Sequence, residues 1–267
     1  MPLFQLILVA VIQGITEFLP VSSSGHLILL PELTGMQDQG QTIDVAVHIG
    51  TLAAVVLYFW ADLRPGLAGI PRMLRGRIDT PGSRLALLLV IATIPAVIAG
   101  LILKLTGLSD QMRSVAVIGW TMLLFGLYLY WVDQRAESRK TAPEWTWREA
   151  LNMGLWQAVA LIPGTSRSGI TITAALRLGY KRRDAAKLAM LMSVPTIFAS
   201  GVLLGAEVAV NGDLSAARDG VIAAGFSFVS ALFALTLMMR PLRSGSFTPY
   251  VIYRVILGVV LLVYAYN

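Results

Sequence analysis

Two short polar stretches interrupt an otherwise apolar chain, and they hold the residues whose types and spacing suit chemistry. The first contains Gln13 and Glu17, then Pro20 and the run Ser22-Ser23-Ser24-Gly25-His26. Gln13 and Glu17 are four residues apart, which sets them on one helix face. A carboxylate and an amide oxygen there suit a hard divalent cation, Mg²⁺ or Ca²⁺, bound through oxygen. The same carboxylate could act as a base, and a buried polar pair that stabilises a broken helix explains the two residues equally well. Serines near a histidine and a carboxylate are the parts of an activated nucleophile. Their ordinary alternative is N-capping of the half-helix that starts at Leu27. An N-terminus of that kind also attracts anions.

The second stretch is Pro163-Gly164-Thr165-Ser166-Arg167-Ser168-Gly169. Gly164 lets backbone approach an anion. Thr165, Ser166 and Ser168 donate hydrogen bonds, and Arg167 offers a planar fork that matches phosphate oxygens. Thr171 follows Arg167 by four residues, on the same helical face. An arginine at membrane depth needs an anion. That anion is Glu17 in the bland case and a phosphate in the sharp one, and the Ser/Thr/Gly/Arg composition favours phosphate. His48 follows Asp44 by one turn in an apolar span and reads as a structural histidine. Arg254 reads as a snorkelling or locally paired side chain.

The elements that position these residues follow from composition. Of 267 residues, 56% are hydrophobic and only 13% are charged, about half the charged share of a soluble domain; mean hydropathy is +0.72. This excludes a soluble globule and a disordered chain. It also excludes a nucleic-acid binder, because the basic residues lie in short gaps between apolar runs instead of on one solvated face. There is no cysteine, so disulfides, cysteine metal sites and thiol nucleophiles are out. The class is an all-α polytopic membrane protein, one integral membrane domain over 1–267. Six runs are long and apolar enough to cross a bilayer: 45–61, 85–103, 114–132, 188–206, 220–239 and 249–266. The apolar pieces 3–16 and 150–162 are too short. Each runs into a polar break and a second short piece, the pattern of a re-entrant helical hairpin, 3–36 and 150–178. The start, 1–16, lacks a basic n-region and reads as structure, not as a signal peptide.

Basic gaps set the orientation. Arg64, Arg72, Arg75, Arg77 and Arg84 lie in the first; Arg135, Arg139, Lys140 and Arg148 in the second. Arg177, Lys181, Arg182, Arg183 and Lys187 lie in the third, and Arg240 and Arg243 in the fourth. Basic loops stay cytoplasmic. All four gaps fall inside only if the second hairpin dips in and returns to the same side. The first hairpin then enters from outside, with both termini external. A shift of 144 lays Gln13 on Gln157, Ser22 on Ser166, Ser24 on Ser168, Gly25 on Gly169 and Ile28 on Ile172. With opposite entry sides, this predicts an inverted-topology repeat, about 1–114 and 115–267, whose two breaks meet in one site.

The motif Gln-x-x-x-Glu at 13–17, continuing Phe-Leu-Pro-Val-Ser-Ser-Ser-Gly-His, resembles the first signature of the bacterial undecaprenyl-diphosphate phosphatases, the bacitracin-resistance proteins. Pro-Gly-Thr-Ser-Arg-Ser-Gly-Ile-Thr at 163–171 resembles the second. Many members carry Glu where this chain has Gln13. The resemblance spans essentially the whole chain. It implies removal of the terminal phosphate of undecaprenyl diphosphate at the outer face of the bacterial plasma (inner) membrane, with a divalent cation. The product recycles as lipid carrier for peptidoglycan and other envelope polymers. On that reading Glu17, Ser23, His26 and Arg167 are catalytic. Ser22, Ser24, Gly164, Thr165, Ser166, Arg167, Ser168 and Thr171 bind phosphate, and Glu17 with Gln13 holds the cation. Attack by Ser23, by His26 or by water is open, as is a homodimer. The partners are a polyprenyl diphosphate and the bilayer, with no nucleic acid. The strongest rival is a lipid transporter, since broken helices in inverted repeats are common there. A phosphatidate-phosphatase-type enzyme would need a second active-site histidine after the Ser-Arg motif, and none follows His48. A membrane scaffold leaves Glu17 and Arg167 unexplained.

Overall fold

Helices begin where the sequence offers caps. Thr80 and Ser83 form a reciprocal capping box with Pro81 in the first turn. Ser114 accepts from the Val117 amide, and Thr146 and Glu149 form a second box; each satisfies amides that the first helical turn leaves without partners. The computed structural model describes residues 1–210, 214–240, 242 and 245–267, with the backbone alone at 109–110, 203–210 and 214–217. Arg243 of the fourth basic gap lies outside them. The helices are α1 (Leu3–Phe18), α2 (Ser23–Thr34), α3 (Gly40–Tyr58), α4 (Trp60–Leu74), α5 (Pro81–Thr106), α6 (Leu108–Gln111), α7 (Val115–Arg135), α8 (Trp147–Val159), α9 (Arg167–Arg177), α10 (Arg182–Val210), α11 (Leu214–Met239) and α12 (Thr248–Tyr266). Apart from one bridge between Lys140 and Tyr180, the described residues hold no β-structure.

Six of these helices are long and apolar enough to cross a membrane: α3, α5, α7, α12, Arg182–Val202 of α10 and Arg218–Met239 of α11. They coincide with the six runs read from hydropathy. The chain is a multi-pass membrane protein. One element differs from the sequence reading. The first basic gap contains the helix α4, which buries Leu63, Gly66 and Gly69 and packs on α5.

Each pair of short helices returns to the end from which it starts. Gln5, near the start of α1, donates to the Gln37 carbonyl beyond α2 at 2.6 Å. Tyr180, beyond α9, donates to Glu149 at the start of α8 at 2.8 Å. The two hairpins open at opposite ends of the bundle. Met1 pairs with Asp219 beside the first. The basic gaps gather beside the second: Lys187 pairs with Asp62, Arg84 donates to the Trp145 carbonyl, and Arg182 pairs with the buried Asp133 at 2.6 Å. The Asp133 carboxylate also accepts from the Phe247 amide, which brings in the fourth gap.

Packing exchanges partners between the halves. α1 lies along α11, and α8 lies along α5. Close approach there rests on small residues, as is usual where lipid removes the hydrophobic drive between helices. A Cβ on Gly14 would stand 2.5 Å from the Ser227 carbonyl oxygen, and one on Gly154 would stand 2.6 Å from that of Ala92. α9 is buried from Ser168 to Leu176. A helix enclosed on every side is held by its neighbours, so its N-terminus is a fixed point.

Candidate active site

Both breaks use the same local device. Ser22 has φ of 73° and Ser166 has φ of 71°, and these are the only described non-glycine residues at positive φ. That conformation costs about 1–3 kcal/mol and persists where its surroundings enforce it. Each serine caps the helix that follows. Ser22 Oγ accepts from the Gly25 amide, and Ser166 Oγ accepts from the Gly169 amide. Each has a second serine beside it, Ser24 at 3.4 Å and Ser168 at 3.1 Å. The sharp turn then aims the next residue back across the break. Those next residues are Ser23 and Arg167, which the 144-residue shift also superposes.

Ser23 and Arg167 converge on one carboxylate. Glu17, in the last turn of α1, is 7% exposed. Its Oε1 accepts from Arg167 Nη2 at 2.9 Å. Its Oε2 accepts from Ser23 Oγ at 2.6 Å and from Gln13 Nε2 at 2.9 Å. His48 Nε2 stands 4.0 Å from the same Oε2. The burial of Glu17 and Arg167 is tolerable because the charges pair and the carboxylate is fully hydrogen-bonded. Around them lies a cavity of about 180 Å³, lined by Glu17, Ser22, Ser23, Ser24, Ser166, Arg167 and His48, with α10 forming one wall. Both breaks contribute to its lining.

The remaining candidates lie elsewhere. Thr171 does not reach the Arg167 guanidinium. Its hydroxyl donates to the Arg167 and Ser168 carbonyls inside α9. Ser168 Oγ donates to the Leu19 carbonyl at 2.8 Å, so it ties the second break to the first. Thr165 is buried, and neither it nor Gly164 lines the cavity. His26 also faces away. Its Nδ1 lies 2.6 Å from the Ser22 carbonyl, which can only accept. In the neutral ring Nε2 therefore accepts, and its partner at 2.5 Å is the Tyr253 hydroxyl.

Two residues exceed what the sequence conveyed. His48 is tied through Nδ1 to the Asp44 backbone carbonyl, while the Asp44 carboxylate accepts from Gln39. Its other nitrogen faces the cavity. Arg254 does not snorkel. It is fully buried and donates to five carbonyls: Met122, Thr121, Pro20, Gly164 and Thr165. Three belong to the breaks, so one guanidinium holds both in register. The nearest available signal was a charge in the middle of an apolar run.

The donor set suits a hard cation. Gln13 Oε1 is buried without a hydrogen-bond partner, one turn from the Glu17 carboxylate. No cluster of three His, Cys, Asp or Glu is present among the described residues. An ion here would therefore take few protein oxygens and complete its shell from phosphate, as Mg²⁺ often does.

The model of the bacitracin resistance protein BacA family matches residues 6–260. The chain is 71% identical over the full length of both chains to the undecaprenyl-diphosphatase of Ruegeria pomeroyi. It is 47% identical to that of Chromohalobacter salexigens, over 97% of this chain and 98% of the other. With that of Aliivibrio salmonicida it shares 44%, over 98% of each. Full-length similarity of this degree, on a chain whose two signature breaks build one buried site, places the protein in the BacA bacitracin-resistance family.

Proposed function

We propose that this protein hydrolyses undecaprenyl diphosphate to undecaprenyl phosphate and inorganic phosphate, as an undecaprenyl-diphosphate phosphatase of the bacterial inner membrane. The observation that carries the reading is the convergence of Ser23 and Arg167 on the buried Glu17 carboxylate. The Ser23 hydroxyl already donates to Glu17, so Glu17 is placed to take its proton. Ser23 Oγ then attacks the terminal phosphorus. The bond from that phosphorus to the bridging oxygen breaks, and undecaprenyl phosphate leaves. Glu17 passes the serine proton to the departing phosphate oxygen; water then attacks the phosphoserine, and Glu17 takes the water's proton and returns it to Ser23 Oγ as the phosphorus–oxygen bond breaks. Free phosphate departs and Ser23 is restored. Phosphoryl transfer passes through a loose, highly charged transition state, so positioning and charge dominate. Arg167 is paired with Glu17 at rest. It turns its fork to the phosphate oxygens as substrate enters, which frees the carboxylate to act as base. Gln13 Oε1 and Glu17 would hold the divalent cation, which offsets the diphosphate charge when bound. His26 keeps its part as a support of the Ser22–Gly25 turn, braced by Tyr253.

Orientation and repeat belong to the same reading. The positive-inside asymmetry puts the basic end in the cytoplasm, and with it the open end of the second hairpin. The first hairpin, both termini and the site then face the periplasm. The paired serine turns and the exchanged packing of α1 on α11 and α8 on α5 support an inverted repeat with two re-entrant hairpins. Recycling of the lipid carrier for peptidoglycan and other envelope polymers, and bacitracin resistance, follow from the reaction.

The test is phosphate release from undecaprenyl diphosphate by the purified protein, with and without chelator. The proposal expects release that the chelator suppresses and that Glu17→Gln and Arg167→Met each lower by roughly a thousandfold. Lipid translocation without phosphate release would overturn it in favour of a transporter.

A further inference from the structure

A second cleft begins where the polar cavity ends. It encloses about 510 Å³, and no side chain that lines it is polar. Its walls are α3, α5 and α10, the helices that also wall the polar cavity, with α4 closing the far side. On α3 the register is explicit. His48 faces the polar cavity; Leu52 and Val56, one and two turns later, face the apolar cleft. On α5, Ala96 lines the first and Leu89, two turns earlier, lines the second. On α10, Ile197 lines the first and Phe198 the second. On α3 and α5 the two cavities occupy successive turns; on α10 they take different faces of the same turns, Thr196 and Ile197 on one side and Pro195 and Phe198 on the other.

We infer that this cleft binds the head-proximal isoprene units of the substrate's polyprenyl chain; the inference rests on the function proposed above. Direction supports it. From His48 at the polar cavity to Val56 in the cleft is about 12 Å along α3, away from the end that carries Gln37 and toward the basic end. A lipid with its diphosphate at Glu17 and Arg167 and its chain in the cleft therefore points its chain away from the outer face and toward the inner leaflet, the sense in which an outer-leaflet lipid lies. Access supports it too. Leu67, Val90 and Phe198 on the rim are 46%, 42% and 62% exposed, so a chain can enter sideways from lipid. The cleft has room for only a short stretch of the chain. The rest of a long chain stays in the membrane. Lipid is as apolar as the cleft, so the gain is packing and shape, not hydrophobic transfer. The cleft acts on substrate capture and leaves the chemical step alone.

The experiment narrows the cleft and compares two substrates. Val56→Trp and Val90→Trp project a ring into it; Val97→Trp places the same ring on an equally exposed part of α5 outside it. With undecaprenyl diphosphate the two cleft variants raise KM about tenfold at unchanged kcat, and Val97→Trp does not. With inorganic diphosphate, which has no isoprene unit to seat, all three match the parent protein. In parallel, an undecaprenyl diphosphate with a photoreactive group on its second isoprene unit is crosslinked to the unaltered protein. Labels on the peptides that carry Leu52, Val56 and Leu89 support the cleft, whether or not the tryptophan variants fold. An unchanged KM in both cleft variants, or labels that map elsewhere, overturns it. Failure of the unaltered protein to release phosphate from either diphosphate would instead overturn the proposed function.

Discussion

The two breaks share a backbone and divide the chemistry. In each, a serine at positive φ caps a short helix and a second serine stands beside it. The residue between them is Ser23 in the first break and Arg167 in the second, and both point to Glu17. The position equivalent to Glu17 in the second half is Leu161, which lines the same cavity. The second serines have parted as well. Ser24 lines the cavity, whereas Ser168 is buried and holds the Leu19 carbonyl. The turn that both breaks share thus supplies two inward-aimed positions. One of them carries a hydroxyl and the other a cation, and only the first approach carries a carboxylate. On the proposed function the first break carries the reactive groups, and the second binds charge and locks the frame.

The largest expected effect breaks that division at its reactive side. Ser23→Ala should lower phosphate release about ten-thousandfold with only a small fall in melting temperature, because the Glu17 oxygen that loses the hydroxyl still accepts from Gln13. The next falls on the frame. Arg254→Met removes a buried cation from five carbonyls and should cost about 3–5 kcal/mol in stability, read as a large fall in thermal midpoint. A smaller effect sharpens the contrast between the serines. Ser168→Ala leaves the Leu19 carbonyl without its partner and should cost about 1–3 kcal/mol, with less loss of activity than Ser23→Ala; the reverse order of activities would undo the division of labour. Tyr253→Phe should be milder still, below about tenfold in activity, since the Ser22 carbonyl still holds the His26 ring.

The smallest effect lies at the basic end, away from the site. Burial raises the Glu149 carboxyl, but donors from Lys140, Thr146 and Tyr180 outweigh it and hold the group below the usual carboxylate value. A group depressed on folding stabilises the native state above its unfolded pKa, and that stability is lost as pH falls through the folded value. Melting temperature measured against pH should therefore decline in acid, and less so in Glu149→Gln. Phosphate release at neutral pH should not change.

Hydropathy alone gave the six spans, because twenty apolar residues have few other uses. Charge at membrane depth singled out Glu17 and Arg167, since a buried cation needs an anion; residue types alone favoured phosphate as that anion, and the partner in the structure is Glu17. Other parts were not legible for physical reasons. Arg254 is satisfied by carbonyl oxygens, which every residue carries, so no partner shows in the sequence. His26 lies within the first motif, yet its ring turns to Tyr253, 227 residues away; spacing along one helix does not fix which neighbour a ring meets. Thr171 shares a face with Arg167 but spends its hydroxyl on its own helix, the local bond that threonine makes in helix interiors. α4 was hidden in a basic gap because its arginines set orientation while a narrow stripe, Leu63, Gly66 and Gly69, does the packing.

The central claim is that Ser23, activated by Glu17 and opposed by Arg167, is the attacking group. The direct measurement is rapid acid quench of the purified protein during turnover of undecaprenyl diphosphate, followed by peptide mass spectrometry. The account predicts a phosphoryl group on Ser23, absent from Ser23→Ala and accumulating when water is depleted by cosolvent. A phosphoryl group on His26 or on a serine of the second break, or turnover with no phosphorylated residue under any quench, would contradict it.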